Sequence, residues 1–174
     1  MKGQKALMSS VKDNWRTPPS LFNNLNNYFN FYLDLAADST NHLCNRFFTL
    51  KNSALSNNWK TAQDAHANDD QYAWCNPPYG SALKPFMEKA AEENRRGFRS
   101  VFLIACRPDT DVWHKYIFNK AGEIWFVNKR ITFLDENNKP AAQGATFPSA
   151  IVIYHGREEK TNFKACNKNG LLYT

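Results

Sequence analysis

Two prolines in succession, Pro77 and Pro78, stand one asparagine beyond an aromatic, apolar run, Tyr72-Ala73-Trp74-Cys75. Proline has no backbone N–H and a fixed φ, so neither a helix nor a central strand continues through such a pair. The run therefore reads as a strand emptying into a turn, Asn76-Pro77-Pro78-Tyr79-Gly80. Beyond it Leu83, Phe86, Met87, Ala90 and Ala91 recur at helical spacing, with Arg95-Arg96 in the last turn and Gly97 as the C-cap. The next run, Val101-Phe102-Leu103-Ile104-Ala105, is apolar at every position, as in a strand covered on both faces. Strand, turn, helix and strand in this order predict an α/β sandwich with a mainly parallel sheet.

The flanks extend that pattern. Leu21, Phe22, Leu25 and Phe29 lie at helical spacing behind Thr17-Pro18, which predicts a helix over 18–29 with Thr17 as its cap and Pro18 in the first helical position. Phe31 to Leu35 reads as a short strand. From 41 to 70 the chain is polar with scattered aromatics, and only short strands or turns are expected. A second helix is predicted over Asp111–Asn119, and further strands over Glu123–Val127, Ile131–Leu134 and Ala150–Tyr154, the last antiparallel. A polar loop separates the final two, and beyond Gly156 a polar, frayed tail is expected.

Length and composition narrow the function. The 174 residues suit one globular domain, and Lys and Arg exceed Asp and Glu by 22 to 16, a net +6 that favours a polyanionic partner. No apolar run approaches the ~20 residues that span a bilayer, and Met1 to Lys12 lacks the apolar stretch of an export signal, so a cytoplasmic protein is expected. Cys44, Cys75, Cys106 and Cys166 form no C-x-x-C pair, and His42, His66, His114 and His155 share no ligand spacing, so reduced thiols and no metal site are expected. The seven glycines leave 4–79 empty, which removes a glycine-rich phosphate or dinucleotide loop from the first half.

The tetrad Asn76-Pro77-Pro78-Tyr79 is the informative motif, with a chance occurrence in a chain of this length of roughly 5 × 10⁻⁴. A plain proline turn is the competing reading. At the C-terminal end of a strand, where open α/β sheets hold ligands, the tetrad suits a planar amine conjugated with a ring. Such a nitrogen is a poor nucleophile until it is pulled out of plane. The Asn76 side-chain oxygen and the Pro77 carbonyl can each accept one of its N–H groups, and the prolines hold both acceptors in place beforehand. Tyr79 offers a flat face for an extruded base.

An ordered set of motifs resembles the phage-type DNA adenine-N6 methyltransferases of the Dam kind. Its members are Asp13-Asn14-Trp15-Arg16-Thr17-Pro18; Leu33-Asp34-Leu35-Ala36-Ala37-Asp38 with Asn41 and Cys44; Trp74 to Tyr79; Arg107-Pro108-Asp109-Thr110-Asp111 with Trp113; Arg130-Ile131-Thr132-Phe133; and Pro148-Ser149. The resemblance implies a Rossmann-like methyltransferase domain over 13–156, with an N-terminal extension over 1–12 and a polar C-terminal tail over 157–174. It implies S-adenosylmethionine as cofactor, held by Thr17, Pro18, Asp34, Ala36, Ala37, Asp38 and Asn76, and double-stranded DNA as partner, with no membrane and no obligate protein partner. Asn76, Pro77, Pro78 and Tyr79 would be catalytic, and Lys129, Arg130, Phe133 and Arg107 would meet DNA.

Alternatives stand beside these roles. Asp38 also reads as a cap or turn aspartate, Asp109-Thr110-Asp111 as a helix start, and Lys129-Arg130 as a solvated pair on a hairpin. The tetrad alone also fits methyltransferases of RNA adenine or protein amides, or an inactive nucleic-acid-binding module. At 174 residues little room is expected for a separate domain to read the recognition sequence, so the polar middle and Asp135 to Ser149 are its candidates.

Overall fold

The computed structural model describes residues 15–59, 70–141, 145 and 147–173. The extension 1–12, Asp13-Asn14, His66 and part of each candidate recognition loop lie outside the described residues. Seven strands form one sheet in the order β2-β1-β3-β4-β6-β5-β7: β1 Phe31–Asp34, β2 Arg46–Phe47, β3 Tyr72–Cys75, β4 Arg99–Ala105, β5 Glu123–Asn128, β6 Ser149–His155 and β7 Asn162–Asn167. β6 runs antiparallel to both neighbours and the other pairings are parallel. The mainly parallel α/β sandwich is thus as expected.

Each face of the sheet is covered, which is why its central strands are apolar throughout. On one face α1 (Pro19–Phe29) lays Leu21, Phe22, Leu25 and Phe29 against Phe31, Trp74, Val101 and Ile151. On the other α2 (Leu83–Arg95) lays Phe86, Met87 and Ala90 against Ala73, Cys75, Phe102 and Val152. All six residues from Ser100 to Ala105 are buried.

α2 ends as its sequence predicts. The Phe98 N–H reaches the Glu93 carbonyl at 2.9 Å and the Gly97 N–H the Asn94 carbonyl at 3.0 Å, the Schellman pattern, with Gly97 at φ +90° and Phe98 buried. Gly156, at φ +78°, packs its backbone on this cap, and a Cβ there would stand 2.8 Å from the Gly97 carbonyl oxygen.

Four expectations change. α1 begins one residue late: Pro18 is the N-cap, Pro19 opens the helix, and the Thr17 hydroxyl makes no cap bond. Instead it faces Asn76. The helix expected over Asp111–Asn119 is shorter, over 111–117, and mostly a π-helical stretch, Trp113–Ile117, that buries those two end residues. Ile131–Leu134 is not a strand, so Lys129-Arg130 is not on a hairpin. β5 already pairs β6 on one edge and β7 on the other, and the segment turns over the α1 face, bridging Leu134 to Arg16 and to Pro140. The tail is not frayed, because β7 lies parallel to β5 over six paired positions and is itself bridged by Leu172.

Gly156→Ala is expected to cost about 2 kcal/mol, from left-handed strain and the backbone approach, and to lower Tm by about 4–8 °C in a thermal melt.

Candidate active site

A cavity of about 730 Å³ opens at the C-terminal ends of β1, β2 and β3. That is the size range of small-molecule sites. Nine residues singled out from the sequence line it: Thr17, Asp34, Ala36, Ala37, Asp38, Asn76, Pro77, Pro78 and Tyr79. Sequence reasoning gave no role to Phe48, Thr49, Leu50, Ser53 and Leu55, which form the wall beyond β2. Their stretch has no periodicity, so no signal marked them. Pro18 is set back from the cavity as the α1 cap.

Asn76 follows directly on β3, and the prolines carry the chain over the cavity mouth toward α2. Its Nδ2 donates to the Trp15 carbonyl at 2.7 Å and to Thr17 Oγ1 at 3.1 Å. A backbone carbonyl only accepts, so the amide orientation is fixed: Nδ2 faces the segment before α1, and Oδ1 remains as the acceptor. The Tyr79 hydroxyl donates to Oδ1 at 3.3 Å. Burial foremost, with Cys75 nearby, pushes the Tyr79 phenol above its ordinary pKa, so it stays a donor. Its ring packs on Phe147 at 4.8 Å and Phe133 at 6.2 Å between centroids.

The turn after β1 is held by a carboxylate. Asp34, 3% exposed, accepts from the Ala36 N–H through Oδ1 and from the Leu43 N–H through Oδ2, each at 3.1 Å. Burial pushes its pKa up to about 6, against the pull of those two N–H groups and His42. Asp38 Oδ1 accepts from the Thr40 N–H and hydroxyl and the Asn41 N–H at 2.7 to 2.8 Å, so it makes a turn of its own at the cavity rim. Burial raises the Asp38 pKa, but these bonds outweigh it and hold the carboxyl below its ordinary value. Both carboxylates, with Asn41, Thr49 and Ser53, are suited to a cationic, hydroxylated ligand, and Phe48, Leu50, Ala54, Leu55 and Phe86 to a flat apolar part.

Of the four residues expected to meet DNA, Arg107, Lys129 and Arg130 are exposed and lie beyond the ends of β4 and β5, outside the cavity lining. Phe133 is fully buried, with ring centroids 5.9 Å from Trp15 and 6.2 Å from Tyr79, which corrects its expected contact with a duplex. Its ring supports the wall behind Tyr79. Burial raises the thiols of Cys44 and Cys166 to about 12 and about 11, so they stay protonated. No helix among the described residues is long and apolar enough to cross a membrane.

The family model "DNA N-6-adenine-methyltransferase (Dam)" matches residues 4–173. The DNA N-6-adenine-methyltransferase of Haemophilus phage HP1 is 29% identical over 170 residues, covering 87% of this chain and 92% of its own. That of Escherichia phage T1 is 26% identical over 136 residues, covering 78% of this chain and 53% of its own, so this chain spans about half of that relative.

The Asp34 pKa gives a signed test. Because the folded value of about 6 lies above the ordinary 3.8, this group's stabilisation is full below pH 3.8 and lost as pH rises through about 6. The stability of the parent relative to Asp34→Asn should therefore fall by about 3 kcal/mol between about pH 4 and about pH 7, read by urea unfolding at fixed ionic strength.

Proposed function

The chain belongs to the DNA N-6-adenine-methyltransferase (Dam) family, and on that footing we propose that it moves a methyl group from S-adenosylmethionine to the N6 amine of an adenine flipped out of double-stranded DNA at a specific sequence. The observation that carries this reading is the Asn76 amide. Its donors are engaged by Trp15 and Thr17, so its oxygen, which takes the Tyr79 hydroxyl at 3.3 Å, is the end that can face a substrate amine.

Oδ1 of Asn76 and the carbonyl of Pro77 each accept one N–H of the amine. Two acceptors on one nitrogen favour a tetrahedral arrangement with the lone pair directed away from the ring. Tyr79 releases Oδ1 as the amine arrives, and its ring stacks on the extruded base from the Phe147 and Phe133 side. Asp34 and Asp38, with the apolar wall of Phe48, Leu50 and Leu55, hold the cofactor, which when bound supplies an electrophilic methyl group. Pro18 acts at one remove, by starting α1 behind Thr17. Flipping costs a few kcal/mol of stacking and pairing, offset in part by phosphate contacts of Arg107, Lys129 and Arg130.

Incubating the protein with labelled cofactor and defined duplexes, followed by nucleoside analysis, is expected to yield N6-methyladenine. Label on RNA or protein alone would redirect the substrate. Asn76→Ala should lower turnover by at least about 100-fold with the fold intact. Tyr79→Phe should keep most of the rate and Tyr79→Ala lose it, since base stacking is worth about 1–3 kcal/mol and needs the ring alone.

Arg130→Ala is expected to weaken binding to specific and scrambled duplexes alike, and to reduce the slope of log affinity against log salt by about one, as for one lost phosphate contact. A loss confined to the preferred sequence, with the slope unchanged, would mean that Arg130 reads a base.

A further inference from the structure

The residues before α1 do more for the site than line it. Trp15 offers its carbonyl and Thr17 its hydroxyl to the two N–H groups of one side chain, Asn76, at 2.7 and 3.1 Å. Thr17 is 5% exposed, and it stands one residue before the Pro18 N-cap, so its hydroxyl is not spent on the helix that follows. The short segment is itself gripped from the far side. Arg16 exchanges both backbone hydrogen bonds with Leu134, at 3.0 and 2.9 Å, its guanidinium donates to Asn138 Oδ1 at 3.0 Å, and the Trp15 ring meets Phe133.

The geometry points to Thr17, with the Trp15 carbonyl, as a positioning pair that turns the Asn76 amide so that its oxygen faces the reacting amine. The inference rests on the proposed role of Asn76, and it assigns Thr17 a partner other than the cofactor. An asparagine amide has one end that donates and one that accepts, and the two are close in shape. Were it reversed, two N–H groups would face the amine and repel its hydrogens, while Oδ1 would stand against the Trp15 carbonyl. The carbonyl forbids the reversed state by its lone pairs, and the Thr17 hydroxyl, able to accept, holds the second N–H. The pair also explains why an amide is suited to this place. A carboxylate at 76 would set an anionic oxygen beside the Trp15 carbonyl with no proton between them.

The test compares Thr17→Val, which removes the oxygen, with Thr17→Ser, which keeps it, in kcat on a DNA duplex, in cofactor affinity by calorimetry and in thermal unfolding. Thr17→Val is expected to lower kcat about tenfold, the rate equivalent of one hydrogen bond, with cofactor affinity unchanged, and Thr17→Ser to recover most of that rate. Weaker cofactor binding with kcat intact would make Thr17 a cofactor ligand and overturn the inference. So would a serine variant as slow as the valine one, which would mean packing by the methyl group.

Asn76→Asp gives an arm independent of how Thr17→Val folds. Its turnover relative to the parent at the same pH should rise from about pH 8 towards about pH 6, because only the protonated acid can donate to the Trp15 carbonyl. A flat ratio overturns the inference. Asn76→Ala in the same assay separates the two levels of argument: if it retains turnover, the role of Asn76 itself fails. If it is inactive while Thr17→Val matches the parent, only the positioning pair fails.

Discussion

The two hydrogen bonds from Asn76 Nδ2 join parts of the chain 61 and 59 residues apart. They tie the end of β3 to the start of α1 at the point where both meet the cavity. Polar atoms in a half-buried place are costly unless paired, so the tie constrains everything around it. Pro77 and Pro78 can leave β3 in one direction only. Thr17 cannot turn to cap α1, and the helix begins instead on Pro19, whose missing N–H needs no cap. Trp15 is held where its ring meets Phe133, and Phe133 in turn supports Tyr79. The cavity wall at Tyr79 is thus set by a chain of contacts that starts at one amide.

Charge is divided between the two ends of the sheet. At the end away from the cavity, Arg95 and Lys120 meet Glu158, Arg96 meets Glu92 and Glu93, Arg99 meets Asp70, and Arg157 meets Glu159. At the cavity end, Arg107, Lys129 and Arg130 are exposed and form no ion pair with a described residue. Exposed pairs contribute little to stability, so the sorting says more about partners than about the fold. Arg107, Lys129 and Arg130 therefore stand as open cations at the end of the sheet that holds Asn76.

Much of the fold was legible because tertiary packing agreed with local pattern: β3 matches its aromatic run residue for residue, and α2 ends at the glycine that its periodicity anticipates. The misses are places where a second element decided. Ile131, Thr132 and Phe133 do alternate buried, exposed, buried, as a strand would, yet both edges of β5 were taken. β7 looked like a tail because its first four residues are exposed, and its pairing partner lies some forty residues back. In the site, the motif residues were visible as residue types at the end of a strand. The wall from Phe48 to Leu55 was not, since a loop defined by Ser53 at the start of a 3-10 turn leaves no periodic mark. Phe133 was legible as part of a motif but not as a buried ring.

The turn after β1 shows what kind of ligand the cavity can select. A site for a pyrophosphate presents backbone N–H groups to the ligand, usually from glycines that let the backbone come close. Here those donors are turned inward. Ala36 and Leu43 give theirs to Asp34, Ala37 to the Phe48 carbonyl, and Thr40 and Asn41 to Asp38. The loop carries Ala36-Ala37 rather than glycines, and a buried carboxylate braces it. What remains facing the cavity is carboxylate oxygen, which repels phosphate and attracts a cation. The proposed cofactor carries a sulfonium and an ammonium group and no phosphate, which suits a cavity lined by the carboxylates of Asp34 and Asp38.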